Sequence, residues 1–160
     1  MLAALAISGT AGARSGAAGD GALSVKNADG RVVIFSKGAA VIGRFDKGQV
    51  TIKDPNPNDG TGPIVTGADS TQSLGEKTTR YSGKDVRFRI IGGTFSVTVF
   101  GTDIDLSAIG RGMVTLNGTI TKGTADNSDA TFAVNGGAPQ PFPTIVFTFP
   151  LAASQPPPGG

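Results

Sequence analysis

Between Gly21 and Phe149, short apolar runs recur roughly every nine or ten residues, each closed by a Gly, Pro or Asn/Asp break. Inside the runs the alternation has period two. Val86, Phe88 and Ile90 share one face while Arg87 and Arg89 take the other. Phe95, Val97 and Val99 likewise oppose Thr94, Ser96 and Thr98. One dry face and one wet face is the pattern of a strand in a layered sheet, because successive side chains point to opposite sides. The spacing predicts strands over 22–26, 31–36, 40–45, 49–53, 78–82, 86–91, 94–100 and 112–116, with weaker ones over 119–121, 131–135 and 144–149. Val33, Phe35, Ile42, Val50, Ile52, Phe88, Val97 and Val99 are the expected core.

Helices have no room. Gly at 25 and Pro at 10 cut the chain so often that nearly every uninterrupted stretch is eight residues or shorter, below the length at which a helix presents a packing face. The exception, 124–135, opens Thr-Ala-Asp-Asn-Ser-Asp, which favours turns and caps. Val and Ile number 23 against 9 for Leu and Met, and β-branched residues suit a pleated surface. Five Asn-Gly or Asp-Gly pairs (20–21, 29–30, 59–60, 117–118, 135–136) read as hairpin turns. The expected fold is all-β, a two-layer sandwich or compact barrel.

The halves echo each other. Gly21-Ala-Leu-Ser-Val25 is similar to Gly93-Thr-Phe-Ser-Val97. Ile42-Gly-Arg44 followed by Gly48-Gln-Val-Thr-Ile52 is similar to Ile109-Gly-Arg111 followed by Gly112-Met-Val-Thr-Leu116. A duplication over about 21–53 and 93–117 would place Ile42 and Ile109 at equivalent buried positions.

Both ends differ from the body. Residues 1–20 are an Ala/Gly-rich leader in which Leu2–Ile7 and then Ala11-Gly12-Ala13 have the form of a secretory signal ending at Ala13, without the usual basic flank. Residues 21–149 form the single domain expected of a 160-residue chain. Residues 150–160 read as a Pro/Gly-rich tail. Tyr81-Ser-Gly-Lys-Asp-Val-Arg-Phe-Arg-Ile90 and Ile104-Asp-Leu-Ser-Ala-Ile-Gly-Arg111 resemble stretches of small uncharacterised secreted all-β proteins of high-GC bacteria. That resemblance implies export to the exterior or cell envelope and supplies no mechanism.

Composition removes much chemistry. With no Cys, His or Trp, disulfides, thiolate and imidazole metal sites and His-dependent nucleophiles are excluded. A net charge of +2 is too small for a dedicated nucleic-acid binder, and no apolar run approaches the ~18 residues of a membrane-spanning helix. No Gly-x-Ser-x-Gly, Gly-x-Gly-x-x-Gly or P-loop occurs.

Three constellations remain. Arg80, Lys84, Arg87 and Arg89, interleaved with Tyr81 and Phe88, form a basic stretch. Arg87 and Arg89 project together, and paired guanidinium forks suit carboxylate, sulfate or phosphate, with Tyr81 as a stacking ring. Asp54, Asn56, Asn58 and Asp59 set oxygen ligands at calcium-loop spacing. Gly60 falls one place late, however, and Val65 stands where a closing Glu belongs, so an ordinary turn takes precedence. Asp103 and Asp105 flank Ile104 and would face one side, with Asp85 and Glu76 nearby, the minimum for carboxylate hydrolysis. Without Trp and with one Tyr, the aromatic cleft of such enzymes is missing. The expectation is a non-catalytic exported domain, structural or binding, that meets an anionic polysaccharide or other envelope component through its basic face and needs no cofactor. A small hydrolase using Asp103 and Asp105, and a surface protein that self-associates through strand edges, are the alternatives.

Overall fold

A computed structural model describes residues 18–119 and 129–153. Its seven strands, β1 (Gly21–Lys53), β2 (Ile64–Gly75), β3 (Thr78–Ile91), β4 (Thr94–Gly118), β5 (Thr131–Val134), β6 (Gln140–Pro141) and β7 (Phe147–Leu151), form one antiparallel sheet, and the described residues contain no helix. The two longest strands are far beyond ordinary strand length because each bends repeatedly and serves two ladders. In the first ladder the order is β7, 111–117 of β4, 31–37 of β1, 94–101 of β4, 48–53 of β1, 78–84 of β3 and 70–75 of β2. In the second it is β6, β5, 21–28 of β1, 104–110 of β4, 40–45 of β1, 86–91 of β3 and 64–66 of β2. Both ladders turn one face into a single core, so the sheet folds over on itself as a two-layer sandwich. It does not close into a barrel: β2 is an edge in both layers.

The bends are built from local chemistry. Where a strand leaves one layer for the other, a bulge shifts the parity of buried positions. They run 21, 23, 25, then 28 to 36 on even numbers, then 39 to 45 on odd, then 50 and 52. Asn27, Asp85 and Asp103 stand at such corners in the left-handed region, with φ of 51°, 54° and 49°, where Asn and Asp are the best tolerated side chains. Bulging strips backbone N–H groups of ladder partners, and carboxylates replace them. Asp105 Oδ1 accepts from Asn27 N at 3.1 Å, Asp29 Oδ1 from Asp103 N at 2.9 Å, and Asp69 Oδ2 from Lys84 N at 3.3 Å. At the corner joining Gly48 to Gly101 the backbones approach so closely that a Cβ on either would fall within 2.4 Å of a carbonyl oxygen, so neither position admits a side chain.

Val32, Ile34, Val50, Ile52, Val97 and Val114 from the first layer meet Val25, Val41, Ile90 and Leu106 from the second in the core. Phe132 of β5 packs on Phe147 and Phe149 of β7 with centroids 6.0 and 6.2 Å apart, joining the two layers at one side. Of the expected core residues, Val50, Ile52, Phe88, Val97 and Val99 are buried. Val33, Phe35 and Ile42 are not: each stands between buried neighbours on its strand and therefore faces outward.

Several finer expectations differ from the structure. The strands over 64–75 and 104–110 were not predicted. The first lacks an apolar stripe, since it is an exposed edge, and the second is interrupted by Asp103, Asp105 and Ser107, all outward or at a corner. β7 continues through Pro150 to Leu151, which pairs with Gly112 and is buried, so the fold extends two residues into the segment read as tail. Only Asn135-Gly136 has both residues at positive φ (53° and 70°), as a tight turn requires; Asn117-Gly118 instead continues β4 alongside Gly30 and Arg31. Residues 31–53 of β1 and 94–118 of β4 visit the layers in the same order, and the Gly48–Ile52 and Gly112–Leu116 echo falls on equivalent segments. Gly21–Val25 and Gly93–Val97 lie in opposite layers, and neither Ile42 (53% exposed) nor Ile109 is buried, so that part of the echo has no structural counterpart. The signal-like segment 1–13 and residues 154–160 of the 150–160 tail lie outside the described residues, as do 14–17 and 120–128.

Candidate functional site

The five residues of the basic stretch do not converge, because the bulge at Asp85 carries β3 from one layer to the other and flips its parity. Arg87 and Arg89 project from the outer face of the second layer, on either side of the buried Phe88. Arg80 belongs to the outer face of the first layer. Tyr81 turns inward against the core, which removes it as a stacking ring for the arginines. Lys84 sits at the corner, its backbone N–H held by Asp69.

Around Arg87 and Arg89 the register assembles a face from five segments of four strands, β1 supplying two. Thr66, Arg87, Arg44 and Asp105 follow one another across the sheet in one row, and Ile64, Arg89, Ile42 and Ser107 form the next. Together with Lys26 they line an open depression of about 660 Å³. Ile42 and Ile64 are 53% and 52% exposed there, so the surface is basic and apolar at once. Arg44 stands directly opposite Arg87, an arrangement that costs stability. Arg44 is turned to Asp105, Nη2 to Oδ2 at 2.7 Å with Nε also donating at 2.9 Å. Burial alone would raise the Asp105 pKa. The Asn27 N–H, the Arg44 hydrogen bond and charge, and the Lys26 charge outweigh it, so the group lies below its ordinary value. Neither Arg87 nor Arg89 has an ion-pair partner among the described residues. The face thus presents two uncommitted guanidinium groups beside a neutralised pair.

Sequence reasoning missed Arg44, Ile42 and Ile64 as members of this face. For Ile42 and Arg44 the signal was available: they alternate with Val41, Gly43 and Phe45, which are buried, so period two already turned them outward. What sequence could not give was which strands lie side by side.

The acidic candidates serve the backbone. Left-handed geometry at Asp103 breaks the alternation that would have aligned it with Asp105, and Asp105 is committed to Asn27 and Arg44. Glu76 pairs with Lys53 at the β2–β3 turn, and Asp85 occupies its own corner. In the 54–60 loop, Asp54 Oδ1 accepts Asn56 N at 2.9 Å, and Asp59 Oδ1 accepts both the N–H (2.9 Å) and the hydroxyl of Thr61. The Thr61 hydroxyl and then its N–H hold the Asp59 carboxyl below its ordinary pKa. These are Asx-type turns. Among the described residues no three acidic groups gather around a point. Also among them, no helix is long and apolar enough to cross a membrane.

Comparison with protein-family models, with curated proteins and with solved structures found no match. The functional reading therefore rests on geometry.

Proposed function

We propose that this protein is an exported, non-catalytic β-sandwich with a binding role at the cell envelope, and that it takes an anionic polymer or glycan on the outer face of its second layer. The observation that carries the reading is the pair Arg87 and Arg89, side by side on one strand and without acidic partners among the described residues, next to exposed Ile42 and Ile64. Guanidinium forks in this setting accept carboxylate or sulfate groups two at a time. The isoleucines offer apolar contact to the carbon skeleton of the ligand. Export rests on the leader sequence and on the resemblance of 81–90 and 104–111 to secreted proteins.

The test is retention on a heparin-type matrix. Replacing both arginines (Arg87→Ala with Arg89→Ala) is expected to move elution to clearly lower salt, with the melting temperature not lowered, because both side chains are exposed and losing Arg87 relieves its repulsion with Arg44. Elution at the wild-type salt concentration would rule the binding face out.

A further inference from the structure

Arg80, separated from the other arginines by the bulge at Asp85, belongs to an assembly of its own. On the outer face of the first layer, Asn117, Arg31, Phe100 and Gln49 are successive cross-strand partners. They form a row of four side chains about 14 Å long, from three inter-strand steps of ~4.8 Å. Arg80 lies opposite Thr51, one diagonal from Gln49. These residues line an open groove of about 510 Å³, and among the described residues no carboxylate lines it. Phe100 is 50% exposed in it. Among the described residues neither Arg31 nor Arg80 has an ion-pair partner, and Arg80 Nε is a buried donor that finds no acceptor there. A buried N–H left unpaired is unfavourable, and an oxyanion closing over the guanidinium would supply what it lacks.

We propose that this groove is a second, separate binding face for an acidic saccharide, with a sugar ring seated on Phe100 between Arg31 and Arg80. An exposed aromatic ring offers its flat face to the C–H face of a pyranose. The two guanidinium groups flanking it match carboxylate or sulfate substituents. Asn117 and Gln49 each both donate and accept, as sugar hydroxyls do. A simple anion site has no use for Phe100, and a neutral sugar has none for two arginines. The inference does not depend on the face around Arg87. It makes the molecule two-sided, able to join two polymer segments held against opposite layers.

The experiment is a calorimetric titration of the full chain with a heparin hexasaccharide, an uncharged glucan hexasaccharide and inorganic sulfate, starting from the Arg87→Ala/Arg89→Ala protein so that only the first-layer face remains. The heparin fragment is expected to bind with one site. Phe100→Ala and Arg31→Ala should each weaken it about fivefold to tenfold, and the glucan and sulfate should bind at least about tenfold more weakly than the heparin fragment. Both replaced side chains are exposed, so folding is preserved, and an unchanged melting curve checks this. No heparin binding in that background, or Phe100→Ala titrating like its parent, would overturn the proposal. Failure of the reading around Arg87 looks different: the unmodified protein would show a single site, and Arg31→Ala would weaken it by the same factor of about five to ten.

Discussion

Asn135 ties together segments from opposite ends of the folded chain, and replacing it separates backbone conformation from hydrogen bonding. Its Oδ1 accepts the Ala22 N–H at 2.8 Å, and its Nδ2 donates to the Ala152 carbonyl at 2.9 Å. Its backbone N–H also reaches the Ala22 carbonyl at 2.8 Å, and its φ is 53°. Each side-chain bond contributes about 1 kcal/mol net. A left-handed backbone costs an alanine about 1 kcal/mol more than a glycine. Asn135→Gly removes these two bonds together with a longer, weaker one from Nδ2 to the Ala153 carbonyl at 3.4 Å, and is expected to lose about 2 kcal/mol. Asn135→Ala removes the same bonds and adds the strain, for a total of about 3 kcal/mol. For a domain of this size that is a fall in Tm of roughly 4–8 °C for Gly and 6–12 °C for Ala. Urea unfolding followed by near-ultraviolet absorbance or fluorescence of the single Tyr81, with the slopes held equal, gives both free energies. If the Gly and Ala variants coincide, the left-handed geometry is not what constrains this position. If both match the parent, the link between Ala22 and Ala152 contributes nothing.

Other consequences follow from the same geometry. A Cβ on Gly43 would stand 2.4 Å from the Phe88 ring, so Gly43→Ala should cost about 1–3 kcal/mol by overpacking; Phe88→Leu in that background should recover part of it, and equal stability of the two variants would contradict the packing. The Asp105 pKa is depressed on folding from its ordinary 3.8, so its contribution is fully present above that value and is lost as pH falls through the folded one. Asp105→Asn should therefore flatten the acid limb of the stability curve below about pH 4 while lowering stability at neutral pH, and an unaltered acid limb would show that the Arg44 pair is not coupled to folding.

The class of the fold was legible from local information. Frequent Gly and Pro, period-two alternation and β-branched composition all favour short extended segments with one dry face, and the structure is built of them. Strand positions such as 31–36, 86–91 and 94–100 were readable because their inward residues alternate cleanly with polar ones. The strand over 104–110 was harder, since Asp103 and Asp105 carry bulge and ion-pair duties that dilute its apolar stripe. Assuming that aliphatic side chains are buried failed at Phe35 and Ile42, where parity mattered more than hydrophobicity. For the site, the adjacency of Arg87 and Arg89 was visible in the text of the chain. Grouping Arg80 and Tyr81 with them was not sound, because one residue of bulge at Asp85 moves everything before it to a different layer and face.

What the sequence determined by itself is therefore the kind of element, the absence of His and Cys chemistry, and the outward pairing of two arginines, all of which depend on neighbours a few residues apart. Only the tertiary structure decided that β1 and β4 each pass between layers, that Arg44 stands across from Arg87 with Asp105 beyond it, and that Arg31, Phe100 and Arg80 share a groove on the opposite side. Those relations depend on register between segments tens of residues apart. In an antiparallel sheet, register is set by which bulges and close glycine contacts can coexist across the whole core, a condition that no local window of sequence contains.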